Sequence, residues 1–138
     1  MRKTGKEISI TDLLQNAGLR STRQRLALGG LLFDGIDKHV TAEQVFEMAK
    51  KNSAPVSLAT VYNTLHQFTE AGLLREVVID SSRIYFDTNT GDHHHFFNET
   101  EGYLMDVPAS SVHVDKLPKL PAGLRLERVD VIIRVQAK

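Results

Sequence analysis

Over roughly the first half of the chain, apolar positions recur every three or four residues, the period of helices with one buried face. In "ISITDLLQNAGL", Ile10, Leu13, Leu14 and Ala17 share a face, Ser9 or Thr11 can cap the start, and Gly18 ends the run. In "STRQRLALGGLLFDG", Ser21 or Thr22 supplies the cap, and Leu26, Leu28, Leu31, Leu32 and Phe33 supply the apolar surface. Gly29 and Gly30 weaken this second helix but permit close approach of a neighbour. The third, "TAEQVFEMAKKN", opens on a capping box from Thr41 to Gln44 and turns Val45, Phe46 and Ala49 inward. Lys50 and Lys51 stand at its end, where the helix dipole favours cations. Pro55 then breaks the chain, Ser57 caps a fourth helix running to Ala71, and Gly72 closes it, with Val61, Leu65 and Phe68 as the buried stripe.

The period then changes to two. "LLREVVI" and "SRIYFD" flank the polar turn Asp80-Ser81-Ser82 and predict a β-hairpin. Three short helices, a fourth after a tight turn and a two-stranded ribbon follow the order of a winged helix-turn-helix, with the fourth helix suited to the DNA major groove and the ribbon as wing. A small helical core with a hairpin and no DNA role has the same pattern, and periodicity alone leaves both open. Beyond the hairpin the chain is β-rich. "HHFFN" and "GYLMDV" are predicted strands, and "RLERVDVIIRVQ" alternates imperfectly through Leu126, Val129, Val131, Ile133 and Val135, as a long strand would. Pro118 and Pro121 confine any helix between Ala109 and Leu117 to about two turns. A small sheet with one long apolar edge needs a cover, and a homodimer pairing these strands is the economical one.

Composition adds bounds. The 138 residues suffice for one ordinary domain or two small ones, and 41% hydrophobic with 25% charged residues is a globular balance. No apolar run approaches the roughly 18 residues of a membrane span, and the basic start "MRKTGK" leads into no signal-peptide core. The expectation is a soluble cytoplasmic protein without a membrane partner. The absence of cysteine removes disulfides, thiolate zinc sites and cysteine nucleophiles together. Residues 1–75 carry a net +3 and residues 76–138 a net −3, which fits a nucleic-acid module followed by a cation-binding one.

The chemistry concentrates in "DHHHFFNETE", which holds three of the six histidines. The run is internal, so it is not a tag. In an extended strand His93 and His95 point to one side and His94 to the other. Three consecutive rings therefore do not readily chelate one ion, but they can serve two sites on opposite faces.

"HVTAEQVFEMAKK", then "VSLATVYNTLHQFTEAGLLRE", then a His-rich run, resembles the ferric uptake regulator (Fur) family of bacterial metal-sensing repressors, from Leu13 to about Val135. The resemblance implies an α+β fold: an N-terminal winged-helix DNA-binding domain over residues 1–86, then a small C-terminal α/β dimerisation and effector domain over 87–138. It also implies a metal site at the hinge and a dimer on double-stranded operator DNA. Many members carry CxxC after the His run for a structural zinc; Asn98 and Glu101 stand at the corresponding positions, so that site is absent. Three histidines followed by two aromatics without CxxC are similar to the iron response regulator (Irr) branch, which responds to haem. A haem here would be held through His93, His94 or His95, with Phe96, Phe97 and Tyr103 as aromatic surface, since the cysteine motif of some Irr proteins is missing.

Carried onto this sequence, the resemblance puts Ser57, Thr60, Tyr62 and Asn63 on or near the DNA face, with Arg20 towards the backbone or minor groove. Tyr62 can lay its ring on a thymine methyl and Asn63 can pair with adenine, which suggests an A·T-rich operator. Ser57 and Thr60 suit phosphate contacts. For the metal, His39, Asp87 and Asp106 join His93 and His95 in a mixed N/O set suited to Fe(II), Mn(II) or Zn(II). His94 has Asp92 and His113 as companions for a second site, which is incomplete because a further ligand position falls near Val129. His66 reads as a surface histidine. A metal-dependent hydrolase is the competing class, but nothing supplies a base beside a nucleophile or a phosphate-cradling glycine loop. Six histidines are also too few for a metal store, so the chain reads as a non-enzyme.

Overall fold

The computed structural model describes residues 9–138 and divides into two compact units, one ending at Thr90 and one running from Gly91 to Lys138. Asp87 therefore belongs to the first unit. The basic start "MRKTGK" lies outside the described residues. Among those residues no helix is long and apolar enough to cross a membrane.

Four helices build the first unit: α1 (Ile10–Asn16), α2 (Arg23–Leu32), α3 (Ala42–Lys51) and α4 (Leu58–Glu70). Each starts on a side-chain cap. Ser9 accepts from Asp12 N, Thr22 from Arg25 N and Ser57 from Thr60 N, while Thr41 and Gln44 complete the reciprocal box. Gly18 and Gly72 follow α1 and α4 at φ of 80° and 82°, the left-handed conformation that a side chain resists. The helices close on Leu14, Leu28, Leu32, Val45, Ala49, Val61, Leu65 and Phe68. Of the glycine pair in α2, Gly29 is buried and a Cβ there would lie 2.8 Å from Ile10 Cγ2, whereas Gly30 is exposed with nothing within 4 Å. One glycine serves packing and the other does not.

The wing is a three-stranded antiparallel sheet. Its strands are β1 (His39–Val40), β2 (Arg75–Asp80) and β3 (Arg83–Asp87), in the order β1-β3-β2. The two residues of β1 are too few to show a period, so the sequence pattern did not reveal them. The turn between β2 and β3 is pinned by Asp80, whose carboxylate accepts from Ser82 N at 2.9 Å and Arg83 Nε at 2.8 Å. The Arg83 guanidinium holds that carboxyl below the usual carboxylate range.

The second unit is a mixed sheet of β4 (His93–Asn98), β5 (Tyr103–Pro108) and β6 (Ile132–Val135), with β4 central, antiparallel to β5 and parallel to β6. One expectation needs correction. The long strand through "RLERVDVIIRVQ" shortens to β6, because the ladder runs only from Val131, whose carbonyl accepts from His95 N, to Val135, whose carbonyl accepts from Glu99 N. The Val131 N–H goes to the His94 side chain and not to the β4 backbone, so the ladder is not continued towards Asp130 although β4 begins at His93. Between Ala109 and Leu117 the structure has only a 3-10 turn at Ala109–Ser111, inside the limit of about two turns expected from Pro118 and Pro121. Pro108 precedes it without a side-chain cap, and β-branched Val112 follows in extended backbone.

Candidate metal and nucleic-acid sites

On α4 the buried stripe is Val61, Thr64, Leu65 and Phe68, so Tyr62, Asn63, His66 and Gln67 face solvent. This exposed face carries the two predicted base readers. Ser57 is committed at the helix start: its Oγ accepts from Thr60 N at 3.0 Å and its hydroxyl donates to Thr60 Oγ1 at 2.9 Å. Arg20 is exposed, and its carbonyl accepts from Arg25 Nη1 at 3.1 Å, while Arg25 Nε donates to Gln67 at 3.1 Å. Arg25 thus braces the loop bearing Arg20 against α4. Tyr62 donates its hydroxyl to Glu43 Oε2 on α3 at 2.7 Å, and the Glu43 carboxylate pushes the phenol above its ordinary pKa. Neither Arg25 nor Glu43 was picked out from the sequence. Glu43 lies 19 positions from its partner, a separation no local pattern marks.

In the first unit β1 sets His39 opposite Asp87 on β3, and His39 Nε2 lies 3.3 Å from Asp87 Oδ2. Asp87 is fully buried and also accepts from Asn89 N at 2.9 Å. The same rung continues to Arg75 on β2. A two-residue strand therefore aligns an imidazole with a buried carboxylate.

In the second unit the alternation along β4 is as expected. His93 and His95 are 6% and 2% exposed, with ring centroids 4.6 Å apart. Asp106, opposite His95 across the β4–β5 ladder, brings Oδ1 to 3.4 Å from His93 Nε2 and 3.6 Å from His95 Nε2. His93 Nδ1 lies 2.7 Å from the Gly91 carbonyl. A proton on Nδ1 satisfies that contact and leaves the Nε2 lone pair aimed at the Asp106 side, the arrangement typical of a histidine ligand. Two imidazoles and a carboxylate on one face fit a divalent ion of intermediate hardness.

His94 faces the other way, and its Nδ1 accepts the Val131 N–H at 3.1 Å, tying β4 to the segment entering β6. Among the described residues Asp92, His94 and His113 are not gathered into a three-donor cluster. Phe97 is fully buried as core, while Phe96 is half-buried and Tyr103 exposed.

The ferric uptake regulator family model matches residues 16–132. This chain belongs to the ferric uptake regulator family. It is 35% identical over 100 residues to the peroxide-responsive repressor PerR of Staphylococcus aureus, spanning 72% of this chain and 66% of PerR. It is 36% identical over 81 residues to the ferric uptake regulation protein of Bordetella parapertussis, spanning 59% of this chain and 58% of that protein. The matched region thus amounts to less than two thirds of these relatives' own lengths. The structure of the ferric uptake regulator from Pseudomonas aeruginosa with manganese superposes with a TM-score of 0.70 at 23% identity, covering 95% of this chain and 99% of that one. That likeness shows the winged-helix and small-sheet fold.

The β4–β5 turn is closed by hydrogen bonds: Asn98 Oδ1 accepts from Glu101 N at 2.9 Å and Asn98 O from Gly102 N at 2.7 Å.

Proposed function

We propose that this member of the ferric uptake regulator family is a cytoplasmic, dimeric transcriptional regulator whose affinity for operator DNA depends on a divalent metal. The observation that carries the reading is the buried pair His93 and His95 facing Asp106, in a chain that also presents Tyr62 and Asn63 on the exposed face of a winged helix. His39 and Asp87 of the first unit, with His93, His95 and Asp106 of the second, are the ligands in this reading. The ion in this reading is Fe(II), Mn(II) or Zn(II), and DNA affinity depends on its presence. The names of the relatives, a peroxide-responsive repressor and a ferric uptake regulation protein, agree with this class.

Dimerisation is supported by the second unit. β6 is an edge strand, and Leu117, Leu120, Leu124 and Leu126 before it are 43–65% exposed, an apolar margin that a second copy of the chain would cover. An A·T-rich operator follows from Tyr62 and Asn63 as readers. The finer reading, an Irr-like regulator with haem as effector, rests on the triple histidine and the absent CxxC. Burial of His93, His95 and Phe97 favours an ion over a porphyrin there, leaving His94 as the accessible axial donor.

One experiment separates these readings. A duplex is selected from a randomised pool with the purified protein, and its affinity is measured by anisotropy with Mn(II), Fe(II), Zn(II), haemin or chelator. The metal reading expects at least a tenfold change, about 1.4 kcal/mol, with a divalent ion and none with haemin. A change with haemin alone would make haem the effector. Indifference to all of them would overturn both.

A further inference from the structure

Glu43 is an anomaly on this surface. It is exposed in the first turn of α3 and hydrogen-bonds to Tyr62, an expected DNA reader. A carboxylate near phosphates opposes binding through charge alone. Its contribution to the α3 dipole is available to any acid in that turn and does not require Tyr62. What the geometry adds is specific. Tyr62 is 36% exposed, and an exposed tyrosine is free to turn about its side-chain bonds. Its hydroxyl is instead anchored at 2.7 Å to a charged acceptor on the neighbouring helix, the strong class of hydrogen bond.

We propose that Glu43 is a specificity-determining positioning residue: it holds the Tyr62 ring in one orientation and occupies its hydroxyl, so that α4 reads a thymine methyl with the ring and not a base edge with the hydroxyl. The proposal rests on the DNA-binding reading above and deepens it. Pre-setting the ring lowers the ordering cost that an unanchored aromatic meets on binding. Committing the phenol removes a polar group that could otherwise pair with either type of base edge. Repulsion between Glu43 and phosphate is uniform across sequences, so it lowers all affinities together. The hydrogen bond acts only where the methyl is present.

The test uses Mn(II)-loaded full-length protein, the duplex it selects from a randomised pool, the same duplex with uracil for thymine at single positions, and a scrambled duplex. Glu43→Ala is expected to strengthen binding to the scrambled duplex while reducing preference for the selected one by about three- to tenfold. It should also shrink the penalty for replacing the critical thymine by uracil. Glu43→Gln keeps an acceptor and should retain most of the preference, which separates the hydrogen bond from the charge and guards against a folding defect in the alanine variant. In a Tyr62→Phe background Glu43→Ala should leave the preference unchanged, because the contact is already gone. Equal gains on selected and scrambled duplexes in both backgrounds would make Glu43 a mere charge and overturn the proposal. If the wild-type protein enriches no sequence, the regulator reading falls and this inference with it; enrichment without an effect at Glu43 sinks this inference alone.

Discussion

His94 and His95 are neighbours of the same residue type, and their replacement by alanine should have opposite consequences. His95 is 2% exposed with Nε2 3.6 Å from Asp106 Oδ1, whereas His94 is half-buried and accepts the Val131 N–H. His95→Ala removes a proposed ligand. Removing even a group that merely orients a ligand weakens metal affinity about 10–100-fold, so loss of the ligand itself should reach the upper figure. With ion at about 100 times the wild-type Kd, binding stabilises the fold by about 2.7 kcal/mol. After a 100-fold loss the same concentration only equals Kd, and the gain falls to about 0.4 kcal/mol. His94→Ala instead leaves the Val131 N–H without its acceptor, which costs about 1–3 kcal/mol in the metal-free protein while the gain on adding metal persists. Urea unfolding with and without Mn(II) measures both quantities, and the metal-free curve accounts for any void left by the buried imidazole. Equal loss of the metal-dependent gain in the two variants, or its retention in both, would refute the two-faced reading of β4.

Gly29→Ala should destabilise the first unit by about 1–2 kcal/mol, because the overlap with Ile10 outweighs the gain in helix propensity, while Gly30→Ala should stabilise it by about 0.5–1 kcal/mol; thermal unfolding of the pair gives the sign of each. Tyr62→Ala and Asn63→Ala should each cost about 1–3 kcal/mol against the selected duplex and little against a scrambled one, as measured by anisotropy; equal losses on both duplexes would show that α4 is not the reader. Ile133→Pro removes a ladder donor from β6 and should abolish both dimer and operator binding; sedimentation of the wild type as a stable monomer at micromolar concentration would count against the dimer itself.

Much of this molecule is local and was therefore legible along the chain. The helix starts at Thr41 and Ser57 were legible directly, because a cap satisfies backbone donors within three residues of itself, whereas the structure chose Ser9 over Thr11 and Thr22 over Ser21. The opposite facing of His94 and its neighbours follows from the two-residue period of a strand. Asp87, Asp106 and His39 as partners of the histidines came from family resemblance, not from spacing, since they are far apart in sequence. Tertiary structure decided what depends on distant pairing. It formed the two-residue β1, which registers His39 on Asp87, and it cut the predicted long strand to four residues, where the Val131 N–H turns to the His94 side chain instead of the β4 backbone. It separated Gly29, against Ile10, from Gly30, in open space. It joined Glu43 to Tyr62 between two helices whose separate patterns hold no trace of the contact. Periodicity reports which face of an element is buried; which side chain on another element meets it depends on how the elements pack.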